Sequence, residues 1–195
     1  MPHNLIIFAS GSGSNAQAII DYFRNDPTVK IALIACNRSQ AGVLEIAKKE
    51  EIPAIIIEKE RFFRGDAYIP ELETYNPSLI ILAGFLWKLP VSLVNAFPGM
   101  IINIHPALLP KYGGKGMYGH FVHEAVKASG DSQTGITVHL VDELYDHGTY
   151  LFQTETNVDH QDTPESIAQK VLRLEHLHYP RVIHELLRDN IPDAG

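Results

Sequence analysis

The sequence predicts an α/β fold, a mostly parallel, Rossmann-like twisted sheet with helices on both faces. Three observations predict it. Short, continuously apolar segments alternate with stretches of helical periodicity as far as His105. A glycine-rich turn, GSGSNA, joins the first apolar segment directly to the first helical one. The pattern then changes: two strand-like segments separated only by a short acidic loop mark an antiparallel pair, and one long C-terminal helix follows.

The elements follow in order. Leu5–Ala9 (LIIFA) is a short apolar strand, and beyond the glycine turn Ile19, Ile20 and Phe23 recur at helical spacing. Val29–Cys36 is a second buried strand, and Ala41–Glu51 a helix whose inner face is Val43, Leu44, Ile46 and Ala47. Pro53–Ile57 is a third strand. Arg61–Tyr75 has a helical pattern that Gly65 and Pro70 weaken. Ser78–Ala83 is a fourth strand, ended by Gly84; Leu89–Ala96 is a short helix, and Pro98-Gly99 turns the chain into a fifth strand at Ile101. His120–Ser129 reads as a helix, and Gly135–Val141 and Tyr150–Glu155 as the antiparallel pair. Thr163-Pro164-Glu165 combines an N-cap, a proline at the first helical position and an acidic first turn. Its helix runs to about Leu187, and Pro180 leaves open whether it does so unbroken. Ligands of parallel sheets sit at the carboxyl ends of the strands. Gly11, Asn37, Gly84 and the Asn103/His105 pair are therefore expected on one rim.

Composition bounds the function. A chain of 195 residues with 45% apolar and 20% charged residues buries one substantial core, so a single domain over residues 1–195 is expected. Net charge of −7 excludes an extended nucleic-acid surface, which needs clustered basic excess, but leaves room for a local cationic pocket. Cys36 is the lone cysteine, which excludes an intrachain disulfide and a thiolate metal cluster. No apolar run approaches the ~20 residues of a membrane span. The start, MPHN, leads into a strand without signal-peptide features. The expectation is a cytoplasmic protein with neither membrane nor nucleic-acid partner.

Three features carry chemistry. Asn103 and His105 alternate onto one face at a strand end, roughly 6–7 Å apart, and Pro106 holds His105 extended. An imidazole exchanges protons near neutrality, and an amide donates to a developing oxyanion without titrating. Gly11, Ser12, Gly13, Ser14 and Asn15 form the turn between strand and helix, whose backbone amides suit an anion, most simply a phosphate. The acidic residue of an NAD site is missing after the second strand, where Asn37-Arg38 stands instead. A phosphate monoester and the 2′-phosphate of NADP, hence an NADP-dependent reductase, both remain open. The loop Asp142–Gly148 offers Asp146 as a carboxylate that would favour a His105 imidazolium. His120/His123 and His139/His147 are spaced as ligands, but without an H-E-x-x-H or His–Cys framework no metal is expected. Cys36 reads as a buried small hydrophobe, and Trp87 as core or pocket wall alike.

Taken together, FASGSGSNAQAII, LAGFLWKLP, IINIHPALLPKY, GITVHLVDELYDHG and EHLHYP resemble the phosphoribosylglycinamide formyltransferases, in order and from residue 8 to 180. The N-I-H-P-x-L-L-P core is the specific part. The resemblance implies a formyltransferase fold, with residues 1–100 as a phosphate-binding half and 101–195 as a folate-binding and catalytic half. It implies transfer of a formyl group from 10-formyltetrahydrofolate, as co-substrate, to glycinamide ribonucleotide in purine synthesis, by a monomer or homodimer. Asn103, His105 and Asp146 match the catalytic trio: the amide and a protonated imidazole steady an oxyanion, and the aspartate orients the ring. Gly11–Asn15 and Glu175 match the ribonucleotide contacts. Phe85, Leu86, Trp87, Lys88 and Leu89, with Val141, Asp142, Glu143, Leu144 and Tyr145, match the pterin site. Tyr145-Asp146-His147-Gly148 departs from the Leu-Asp-Gly-Gly of many members, Trp87 replaces a common arginine, and GGKGMYG replaces a shorter segment. Related methionyl-tRNA formyltransferases carry a further C-terminal domain and formyltetrahydrofolate deformylases an N-terminal one, so length favours the ribonucleotide enzyme. A formyltetrahydrofolate deformylase and a non-catalytic nucleotide-binding module compete with it, alongside the reductase.

Overall fold

The computed structural model describes residues 2–189. Strands β1 (His3–Ala9), β2 (Val29–Cys36), β3 (Ala54–Ile56), β4 (Pro77–Leu82) and β5 (Ile101–His105) run parallel. Strands β6 (Gln133–Leu140) and β7 (Tyr150–Asn157) continue the same sheet antiparallel. The order is β3-β2-β1-β4-β5-β6-β7, so the direction of winding reverses between β1 and β4, where such sheets open a crevice.

The continuous apolar runs have a plain cause. Leu5, Ile7 and Ala9 of β1 face a core formed with helices α1 (Ser14–Phe23), α2 (Gly42–Lys49), α6 (His120–Ser129) and α7 (Pro164–Arg188). Ile6 and Phe8 face a second core with Phe62, Leu72 and Leu93 from α3 (Lys59–Phe62), α4 (Ile69–Glu73) and α5 (Val91–Ala96). Side chains alternate along a strand, so a strand covered on both faces must be apolar at every position. Tyr179 of α7 is fully buried, and its hydroxyl donates to the Leu82 carbonyl at 3.0 Å, fastening that helix to the end of β4.

One expectation is corrected and one open point is decided. The helix over 61–75 is two short helices, because Gly65 takes φ 95° and breaks the run, and Pro70 sits at the start of α4. Conversely, α7 does not break at Pro180. Its buried stripe of Val171, Tyr179, Val182, Ile183 and Leu187 continues past the proline. At about 1.5–3 kcal/mol for each buried side chain, that stripe outweighs the ~3 kcal/mol an internal proline costs.

Candidate active site

The reversal of strand order sets two loops side by side, one after β1 and one after β4. Ser10 ties them: its N–H donates to the Gly84 carbonyl at 3.1 Å, and its hydroxyl accepts from the Leu86 N–H at 2.9 Å. A cleft of about 830 Å³ opens over these loops and over Asn103 and His139, within the roughly 300–1,000 Å³ usual for small-molecule sites.

A polar cluster forms one part of it. Antiparallel pairing sets Asn103 of β5 directly across from His139 of β6. Asn103 Nδ2 donates to His139 Nε2 at 3.1 Å, and His139 Nδ1 donates to the Leu140 carbonyl at 2.8 Å. That tautomer makes His139 an acceptor and leaves the second N–H of the amide for the cleft. His105 is 3% exposed, and its Nε2 donates to the Tyr112 carbonyl at 2.7 Å. Its Nδ1 faces Asp146 Oδ1 at 3.5 Å, and His139 Nε2 lies 3.6 Å from the same oxygen. The other oxygen of Asp146 accepts the Gly114 N–H at 2.9 Å. Tyr112 and Asp146 sit at φ 57° and 50°, a strained region for residues with side chains. The backbone is bent at the two places that deliver a carbonyl to His105 and a carboxylate between two imidazoles.

Burial pushes the His105 pKa below the usual imidazole value, and Asp146 and the Tyr112 carbonyl pull it back only in part. The carboxylate favours the imidazolium, as expected, but desolvation exceeds its pull, and the resting ring is neutral. Burial pushes the Asp146 carboxyl up, but the attraction of the His139 and His105 rings once protonated, with the Gly114 N–H, outweighs it and holds the carboxyl below its usual value. A lone pair on His105 Nδ1 thus faces a carboxylate with no proton between them. The pair is built to take one up.

The glycine loop forms the second part. Gly13 has φ 82°, and a Cβ there would come within 2.8 Å of the Val43 backbone, so the loop seats on α2 only as glycine. Among the described residues no backbone carbonyl takes the N–H of Gly11, Ser12 or Gly13, and the first-turn amides of α1 lack helical partners by geometry. Together they make an anion cradle. Glu175 of α7, 8% exposed, accepts the Asn15 amide N–H at 2.7 Å. Burial lifts its pKa to about 7, and the Asn15 bond opposes that only in part.

Aromatic and aliphatic walls form the third part. Trp87 answers to both of its expected roles, packing on Phe62 and Phe63 with ring centroids 5.8 and 5.5 Å away while also lining the cleft. Lys88 lies 5.2 Å from the centre of the Tyr145 ring, joining the two walls by a cation–π contact.

Asn103, His105, Asp146, Gly11, Asn15, Glu175, Phe85–Leu89, Val141, Asp142, Leu144 and Tyr145 all line this one cleft. Ser12 borders instead a second cavity of about 640 Å³ beside Asn37 and Arg38. Gly13 and Ser14 form the turn without lining either cavity. Glu143 is exposed outside the cleft, because Asp142 accepts the Leu144 N–H at 2.8 Å and the tight turn directs Glu143 outward. Further lining residues lie outside the sequence-based selection of site residues, among them Ser10, Arg38, His123 and His139. His139 alternates with Thr137 like any strand residue, and only its register against Asn103 gives it away. Among the described residues no group of three or more His, Cys, Asp or Glu is placed to hold a metal ion.

A family model described as formyl transferase matches residues 3–183. The chain belongs to the formyl transferase family. It is 38% identical to the phosphoribosylglycinamide formyltransferase of Bacillus subtilis (strain 168), with 93% of each chain covered. It is 40% identical to the chloroplastic phosphoribosylglycinamide formyltransferase of Arabidopsis thaliana, covering 96% of this chain and 66% of that one. The chain spans 66% and 62% of the length of the two plant relatives it matches. The solved glycinamide ribonucleotide transformylase 1 of Geobacillus kaustophilus superposes with a TM-score of 0.85 at 34% identity, over 96% of this chain and 100% of that one. In this chain β5 carries Asn103 and His105, β6 the His139 ring bonded to the Asn103 amide, and the 142–148 loop Asp146.

Proposed function

We propose that the chain transfers the formyl group of 10-formyltetrahydrofolate to the amino group of glycinamide ribonucleotide, giving formylglycinamide ribonucleotide and tetrahydrofolate in de novo purine synthesis. One observation carries this reading. Gly11 and Asn15 of the glycine loop line the same cleft as the Asn103–His105–Asp146 cluster, so a ligand whose phosphate is anchored at that loop presents its other end to acid–base chemistry. The aromatic and aliphatic wall at Phe85–Leu89 and the loop Val141–Tyr145 suit a pterin ring, and formyl-folate supplies the one-carbon group. The names of the relatives agree with this acceptor.

The chain's own groups divide the work. The second N–H of Asn103 donates to the oxygen on which negative charge develops as the amine adds. Neutral His105 accepts the proton the amine sheds, and ionised Asp146, 3.5 Å away, stabilises the resulting imidazolium. His105 then returns the proton to the departing nitrogen. His139 aims Asn103, while the glycine loop and Glu175 hold the ribonucleotide. The unit is read as one domain, residues 1–100 presenting the phosphate site and 101–195 the catalytic groups. Buried, unpaired Cys36 suits a reducing cytoplasm.

A spectrophotometric formyl-transfer assay with both substrates tests the proposal on the parent chain and on Asn103→Ala and His105→Ala. Near-parental turnover in a folded variant refutes the assignment. Tight NADPH binding without folate binding selects the reductase instead, and formate release without an acceptor selects a deformylase.

A further inference from the structure

Glu175 sits where a carboxylate is least welcome. It projects from α7 into the cleft beside Gly11 and Asn15, against amides arranged for an anion. Two influences set its charge, burial and the hydrogen bond from Asn15 Nδ2. Among the described residues no counter-charge compensates. On its own helix, burial keeps His176 neutral, and Tyr179 gives its hydroxyl hydrogen to the Leu82 carbonyl. On α6, His120 is paired with Glu124 at 2.9 Å, and burial holds His123 neutral with its pKa lowered to about 4. Glu165 adds negative charge to the same lining, and Arg38, after β2, lines the cleft without pairing with Glu175. The neighbouring Asn15 Oδ1 is buried and has no partner among the described residues, which leaves an acceptor beside the Asn15–Glu175 pair.

A lone buried carboxylate beside a phosphate dianion is far more costly than a protonated acid. We propose that Glu175 holds the ribonucleotide as an un-ionised acid: its second oxygen donates a hydrogen bond to a phosphate or ribose oxygen while Asn15 Oδ1 accepts from a ribose hydroxyl, so that binding takes up a proton. The inference rests on the ribonucleotide reading of the glycine loop, and not on formyl transfer itself. Below pH about 7 the acid carries its proton with or without ligand, and nothing is linked. Above that pH the ligand-free carboxyl ionises, whereas a dianion alongside keeps it protonated. Affinity therefore falls as pH rises, approaching about tenfold per pH unit, the limit for one linked proton.

Isothermal titration calorimetry of the whole chain with ribose 5-phosphate tests this, in buffers of different ionisation enthalpy between roughly pH 7 and 9. This ligand lacks the glycinamide amine, whose own titration would interfere, and its phosphate, with a second pKa of about 6, is a dianion throughout. The expected result is uptake approaching one proton per ligand and affinity that weakens with pH. Glu175→Gln, the shape of the neutral acid, takes up none and binds at least as tightly as the parent at the alkaline end. Affinity without pH dependence or uptake overturns the proposal, as does absence of binding. So does a Glu175→Gln variant weaker than the parent at every pH, the mark of a carboxylate acting as acceptor. Formyl transfer measured on the same preparation separates the two questions: its loss refutes the reaction and leaves the proton measurement standing.

Discussion

Whether Asn103 acts unaided or is aimed by His139 is decided by a double-mutant cycle. Asn103→Ala deletes the oxyanion donor, for which the usual cost is about 2.7–4 kcal/mol, or roughly 10²–10³ in kcat. His139→Ala deletes only the acceptor 3.1 Å from the amide. One net hydrogen bond is about 0.5–1.5 kcal/mol, so kcat falls roughly 2–12-fold. If His139 works by turning the amide, it has nothing left to turn once Asn103 is alanine, and the double variant is no slower than Asn103→Ala alone. His139→Gln, which keeps an acceptor, recovers most of the loss. The assay is kcat at saturating levels of both substrates, with melting temperatures confirming that each variant folds, because His139 is 2% exposed. Losses that multiply in the double variant refute the positioning role and assign His139 a separate part, such as acting on Asp146 at 3.6 Å.

Three further outcomes are expected. Gly13→Ala forces a side chain into φ 82° and against Val43, costing about 1–2 kcal/mol for the backbone and about 1–3 for overpacking, with a raised KM for the ribonucleotide; unchanged melting and KM contradict the account. Stability depends on pH from both sides. His123, with a folded pKa of about 4, stays neutral while the unfolded chain protonates, so stability is lost as pH falls from about 6.5 to 4, by roughly 3 kcal/mol. Glu175, raised to about 7, acts oppositely, with stability lost as pH rises from about 4.5 to 7. Glu175→Gln is accordingly stabilised by up to roughly 3 kcal/mol at pH 8 and not at pH 4.5, which chemical denaturation at the two pH values checks. Tyr179→Phe removes the hydroxyl bonded to the Leu82 carbonyl and lowers stability by about 1 kcal/mol or more, since a buried carbonyl is left without that donor; an unchanged denaturation midpoint contradicts the bond.

The parallel sheet was legible in the chain because burial on two faces writes itself into sequence. LIIFA is apolar at both parities, and Leu5 and Ile6 do enter opposite cores. Asn103 and His105 were legible for the converse reason, since two polar residues on one face at the end of an apolar strand have few neutral explanations. The glycine loop was legible from its spacing, and its cause, the approach of Val43 at 2.8 Å, from the structure. What the chain concealed depends on contacts between distant segments. His139 enters the cluster through antiparallel register, and Arg61–Tyr75 divides because a single glycine at φ 95° ends one short helix before another begins.

By itself, the sequence determined the alternation of elements, the glycine turn and the residue types at the strand ends, because these are local consequences of side-chain period and backbone freedom. Only the tertiary structure decided the protonation of His105 and Glu175. An imidazole and a carboxyl have ordinary pKa values as residues; desolvation in a particular cleft, and the absence or presence of a counter-charge within a few ångströms, move them.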